Sequence, residues 1–121
     1  MDKLVSVGLM VSDLFVRVSV EAAVRGCGLE PEVLRSFHQV GRDHFPVVIL
    51  DLQVPGLDAP AVVKELVSRG VHVLAFGPHV DSRALETIRQ AGAVALPKSS
   101  FLRRLPELLA LYREPSPPSP Q

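Results

Sequence analysis

The sequence lacks most of what would announce a membrane, metal or nucleic-acid function. A single cysteine, Cys27, in 121 residues leaves no internal disulfide and no cysteine-rich metal site. It reads as a small hydrophobe packed at the end of a helix. No sign of charge is in excess: 13 basic residues face 13 acidic ones. There is thus no general field for nucleic acid or an anionic membrane, and neither is expected as a direct partner. No apolar run is long enough to span a bilayer, and Met1-Asp2-Lys3-Leu4-Val5 passes into a strand pattern with no signal peptide, so the expected compartment is the cytoplasm. The four histidines, His38, His44, His72 and His79, show no metal-ligand spacing.

What is present is an alternation. Apolar runs recur at Leu4 to Val11, weakly at Glu32 to Leu34, then at Val47 to Leu50, Val71 to Phe76 and Ala93 to Leu96. Between them lie helical spacings. The first, from about Leu14 to Cys27, repeats Val16, Val20, Ala23, Val24 and Cys27 on one stripe, with Asp13 as its N-cap. A short helix is expected over Phe37 to Asp43. The third helix, Ala61 to Arg69, stops at Gly70, and the fourth, Ser82 to Gln90, stops near Gly92. The fifth, Ser100 to Tyr112, carries Leu102, Leu105, Leu108, Leu109 and Tyr112, with Pro106 a source of distortion.

Five strand–helix alternations predict an α/β fold, a doubly wound, flavodoxin-like five-stranded parallel sheet of order 2-1-3-4-5 with helices on both faces. The first and fifth helices are expected on one face and the other three on the opposite one. The domain is expected over residues 1–112. The proline-rich residues 113–121 read as a flexible tail that cannot extend the last helix.

The most informative run is Val47-Val48-Ile49-Leu50-Asp51-Leu52-Gln53-Val54-Pro55-Gly56-Leu57-Asp58, in which a strand apolar on both faces delivers a carboxylate to its C-terminal end. That edge of a parallel sheet is where such folds do their chemistry. Asp51 could equally start the loop by bonding its own backbone. Ser12-Asp13 follows the first strand and Lys98 the fifth, so two carboxylates, Asp13 and Asp51, and one ammonium converge. Close carboxylates favour a hard cation such as Mg²⁺, and a lysine neutralises an incoming phosphoryl group. The chemistry suggested is phosphoryl transfer to a carboxylate.

Leu50-Asp51-Leu52 followed by Val54-Pro55-Gly56-Leu57-Asp58, the Ala91-Gly92-Ala93 turn and Lys98 together resemble the CheY-like receiver domain of bacterial response regulators, from Leu4 to Tyr112. Leu96-Pro97-Lys98-Ser99-Ser100 is closest in style to receivers that precede a LuxR-type helix-turn-helix, a module this sequence does not contain. The resemblance implies Asp51 as phospho-acceptor, Asp13, Asp51 and the backbone carbonyl of Gln53 as a weak Mg²⁺ site, and Lys98 as the partner of the phosphoryl oxygen.

The departures matter as much. Ser12 stands where a second acid is usual, Gly77 where a Ser or Thr hydroxyl normally meets the phosphoryl group, leaving only backbone there, and Ala95 where an aromatic ring completes the switch. Asp13 can cap its helix as well as bind metal. The expectation is a degenerate, stand-alone receiver-like signalling protein, a pseudo-receiver, acting through a protein partner such as a histidine kinase or an output protein. Phosphate at Asp51 is then dispensable for the usual switch. No enzyme activity is expected beyond self-phosphorylation and autodephosphorylation at Asp51.

Two surfaces are candidates for contact: the outer side of the first helix at Leu14, Phe15, Val18 and Ala22, and the fourth and fifth helices, through which a homodimer could form. The alternatives are a conventional phospho-accepting regulator of a two-component system and a small flavodoxin-like enzyme or cofactor binder. Against the last, no glycine-rich phosphate loop follows the first strand and no histidine sits where a cobalamin ligand is needed.

Overall fold

In a computed structural model, which describes residues 4–38, 40–78 and 81–112, the apolar runs form β1 (Ser6–Met10), β2 (Glu30–Val33), β3 (Val47–Asp51), β4 (His72–Gly77) and β5 (Val94–Pro97). Every pairing is parallel and the order is β2-β1-β3-β4-β5, the expected one. The expected tail at 113–121 and His79 lie outside the described residues. β3 is buried at all five positions, which is why it reads as an unbroken apolar run rather than an alternating one.

The two-residue period of the strands divides the core. Val7, Leu9, Ile49, Leu74 and Phe76 face α1 (Leu14–Gly26) and α4 (Lys98–Ala110), while Val48, Leu50, Val73, Ala75 and Ala95 face α2 (Ala59–Ser68) and α3 (Ser82–Gln90). Asp13, Asp58 and Asp81 cap the first three helices with their side chains, satisfying amides that have no partner inside the helix. Gly70 and Gly92 follow α2 and α3 with φ of 80° and 108°, a conformation that ends a helix at little cost only in glycine. α4 runs through Pro106 and begins two residues earlier than the leucine stripe suggests. Phe101, outside that stripe, is fully buried and tilts against Phe76 with ring centroids 4.9 Å apart.

One expected element is absent. Among the described residues Phe37 to Asp43 forms no helix, so two helices cover each face rather than two and three. The segment from Leu34 to Pro46 crosses that part of the sheet as irregular chain and isolated turns. Leu34 seats directly on Gly8, where a Cβ would stand 2.6 Å from Leu34 Cδ1, and Val40, Phe37 and Phe45 complete the cover. The backbone carbonyls that a helix would have satisfied internally are met by Arg69 at the end of α2. Its Nη1 donates to the carbonyl oxygens of Phe37 (3.2 Å), His38 (2.9 Å) and Val40 (2.9 Å), and Nη2 is paired with Glu65. Phe37 and Val40 have helical spacing, but Gly41 and a guanidinium aimed at the carbonyls make extended turns the better solution.

β2 is an edge strand. Glu30 and Leu34 donate their N–H groups to Val5 and Leu9 of the neighbouring β1 segment, so the backbone nitrogens of positions 31 and 33 face away from the sheet, and position 31 is a proline with no N–H.

Candidate functional site

Parallel pairing brings the C-terminal ends of β1, β3, β4 and β5 to one edge. Asp51 is in register with Phe76, and Gly77 with Pro97, so Lys98 begins α4 two strands across from Asp51. Asp13, Asp51, Gly77 and Lys98 therefore share the edge on which the sequence places them.

Asp51 is the one buried charged side chain among the described residues, 4% exposed at the end of β3. A carboxylate so placed must find donors, and it finds three. The Ser12 hydroxyl donates to Oδ2 at 3.0 Å, the Ser12 amide to the same oxygen at 3.3 Å, and the Gln53 amide to Oδ1 at 2.9 Å. The Gln53 bond is the local turn that an aspartate commonly makes with its own chain, so the structural reading of Asp51 holds alongside any chemical one. The Ser12 bonds tie the loop after β1 to the end of β3. Ser12 thus does more than omit a negative charge: it supplies a hydroxyl that occupies a lone pair of the acid.

Asp13 is engaged by its own helix. Its Oδ1 accepts from Phe15 N at 2.8 Å and Val16 N at 3.2 Å, as the N-cap of α1. Among the described residues no three or more of His, Cys, Asp and Glu gather as a set able to hold a metal ion. A hard divalent cation needs several free oxygens. Here one carboxylate serves helix amides and the other serves Ser12 and Gln53, so the side chains in this arrangement fit such an ion poorly. Lys98 is exposed, and no ion pair joins it to Asp51 among the described residues.

Gly77 ends β4 in a closed space. A Cβ built on it would lie 3.2 Å from Leu52 Cδ1, 3.6 Å from Leu52 Cβ and 3.5 Å from Leu85 Cδ2. Leu52 follows the acid directly and is fixed by its amide bond to the Phe76 carbonyl, 2.9 Å. A side chain at position 77 would require the Leu52 side chain to give way by a few tenths of an ångström. Sequence reading names Leu52 only as part of the pattern around Asp51. The available signal was the pairing of a large residue after the acid with a glycine at the end of the neighbouring strand. Ala95 is buried against the α2–α3 layer, and its carbonyl accepts from Arg89 Nε at 2.9 Å. A hollow of about 1210 Å³ runs along β2 and the 34–46 segment, and its lining includes none of Asp13, Asp51, Gly77 or Lys98.

Solved structures similar to this chain include response-regulator receiver domains. The signal receiver domain of NarL from Mycobacterium tuberculosis superposes with a TM-score of 0.73 at 20% identity, over 89% of this chain and 94% of that one. The Mn²⁺-bound form of response regulator Rcp1 gives 0.70 at 13% identity, over 93% and 96%. A response regulator receiver domain from Rhodospirillum rubrum gives 0.68 at 20% identity, over 89% and 93%. The chain has the receiver fold. No protein-family model matches the sequence, and no curated protein matches it. No helix among the described residues is long and apolar enough to cross a membrane.

Proposed function

We propose that the chain is a receiver-like signalling protein of the response-regulator kind that works by protein–protein contact, with a partner surface formed before any phosphate reaches Asp51. The observation that carries this is the closed contact of Leu52 with Gly77. In the conventional switch a hydroxyl at the end of the fourth strand follows the phosphoryl group and an aromatic ring on the fifth turns inward. Here the first is glycine under a leucine and the second is buried alanine. A ligand shifts a two-state equilibrium only through contacts that differ between the states, and these two contacts are missing.

The conventional phospho-accepting reading keeps one observation in its favour. A buried, hydrogen-bonded carboxylate at the end of β3 is a costly feature for a merely structural residue. In that reading Asp51 is the phospho-acceptor, Lys98 swings to the phosphoryl oxygen, the Gly77 amide donates from the backbone, and Asp13, Asp51 and the Gln53 carbonyl hold Mg²⁺ weakly. Each requires movement from the observed arrangement: Ser12 must release Oδ2 before that oxygen can meet a metal or phosphorus. The partner is a histidine kinase or an output protein. A homodimer through α3 and α4 has little apolar area to use, because Arg83, Glu86, Arg89, Arg103, Arg104 and Glu107 populate their outer sides.

The test is treatment with a small acyl phosphate and Mg²⁺, read by intact mass and by backbone amide chemical shifts. Modification at Asp51 should move the signals of Ser12, Asp13, Leu52 and Gln53 and leave Val94 to Pro97 and α3 in place. Shifts that spread through β5 and α3 would establish the conventional switch instead.

A further inference from the structure

We infer that the outer face of α1 is a self-recognition surface, on which a second copy of this chain docks with its own α1 antiparallel. The face is defined by geometry. Val16 and Val20 are buried; Val18 and Ala22 lie two residues further on, about 200° round the helix, and so point straight away from the core. Leu14 and Phe15 flank them, with Phe15 85%, Leu14 57% and Val18 56% exposed. No other element carries three such residues together among those described: Leu4, Val33, Val67, Val94 and Leu111 are scattered over the chain. An apolar cluster of this kind on a soluble fold marks a contact surface.

The occupant follows from how the stripe is graded. Its N-terminal half is bulky, with Leu14, Phe15 and Val18; its C-terminal half is small, with Ala22 and Gly26, and ends in the charge of Arg25. A twofold axis beside Val18 and Ser19 lays each bulky half on the other copy's small half. Phe15 then covers Ala22, seven residues or about 10 Å along the helix, and close approach is permitted where the side chains are smallest. The same operation carries Arg25 of each copy to the other's α1 N-terminus. There the Asp13 carboxylate is exposed and its Oδ2 is not used by the capping bonds. Arg25 is 60% exposed and held to Glu21 at 3.7 Å, in a ladder with Arg17 that keeps it along the stripe. Shape and charge are thus both self-complementary, as an isologous contact requires. The partner copy contributes a cation to the edge that bears Asp51.

One helix face is a small interface, so the association is weak and concentration-dependent. It is independent of whether Asp51 accepts phosphate. Sedimentation velocity on the full chain should show a monomer–dimer equilibrium. Phe15→Asp should abolish it, and Arg25→Glu should weaken it by up to about tenfold at low salt, with the difference shrinking as salt is raised. Ala22→Phe separates this packing from general stickiness: it adds apolar area, yet it should abolish the dimer because Phe15 then has no room. All three positions are exposed, so the fold is retained. In a Cys27→Ser background, Val18→Cys should cross-link to itself under mild oxidation, because the axis passes beside it. A monomer at all concentrations up to about 1 mM would overturn the proposal and leave the face to a different protein. So would dimers that strengthen with Ala22→Phe, or that persist without the Val18→Cys cross-link.

Discussion

Leu52 and Gly77 are packed so closely that a single added carbon on Gly77 would stand 3.2 Å from Leu52 Cδ1. The end of β4 carries no side chain, and the residue after the acid packs against it at a distance that leaves an added carbon little room.

Gly77→Thr is therefore expected to destabilise the protein by about 1–3 kcal/mol, the usual cost of overpacking a filled site. Leu52→Ala alone should also destabilise. Combined, they should cost less than the sum of the two by more than about 0.5 kcal/mol, since each change relieves the other. Urea unfolding of the four proteins measures the coupling; strict additivity would show that Leu52 does not hold the Gly77 space.

Ser12→Asp should convert the Asp51 pocket into a better cation site. The substitution removes the hydroxyl that bonds Asp51 Oδ2 and adds an acid in its place, so Mg²⁺ affinity should rise at least about tenfold over a weak starting value, as adding a charged oxygen ligand does for hard cations. Without metal the two carboxylates repel and the variant should be less stable than the parent. Calorimetric titration with and without Mg²⁺ checks both halves.

Arg69→Ala should loosen the 34–46 segment more than α2. Three carbonyl bonds depend on that guanidinium, and their loss should cost about 1–3 kcal/mol and speed amide hydrogen exchange at Val40, His44 and Phe45. Arg69→Lys should rescue only in part, because a single ammonium on a shorter stem cannot serve the three carbonyls and Glu65 together.

Tyr112 gives a pH-dependent reading with no interference, since it is the single tyrosine. Burial against His72, ring centroids 4.9 Å apart, raises its phenol above the ordinary value. The folded chain thus keeps a proton that the unfolded chain releases at about pH 10, so stability is intact below that pH and falls as pH rises through the folded value. Phenolate absorbance should titrate later in the folded protein than in urea, and Tyr112→Phe should remove this share of the alkaline loss.

The sheet was legible because its evidence is local and repeated. Val47 to Leu50 can be apolar throughout only if both faces are covered, and Val16, Val20 and Val24 leave one orientation for α1. The 34–46 segment was not legible: Phe37 and Val40 carry the spacing of a helix, and the residue that decides otherwise, Arg69, is about thirty positions away in sequence. At the site, the positions of Asp13, Asp51, Gly77 and Lys98 at one edge followed from topology. The engagement of Asp51 by Ser12 and the packing of Leu52 against Gly77 did not, because each depends on side-chain packing between loops that neighbour only in three dimensions.

The outer rim of β2 has a consequence for how the protein behaves when crowded. With Pro31 in place of one outward amide and Glu30 and Glu32 on either side of it, a strand from another molecule would meet a gap in the donor row and, in register with a copy of itself, a stack of like charges. Growth of the sheet from molecule to molecule is barred at this rim. A molecule that meets this rim must therefore do so through side chains, not by extending the hydrogen-bonded sheet.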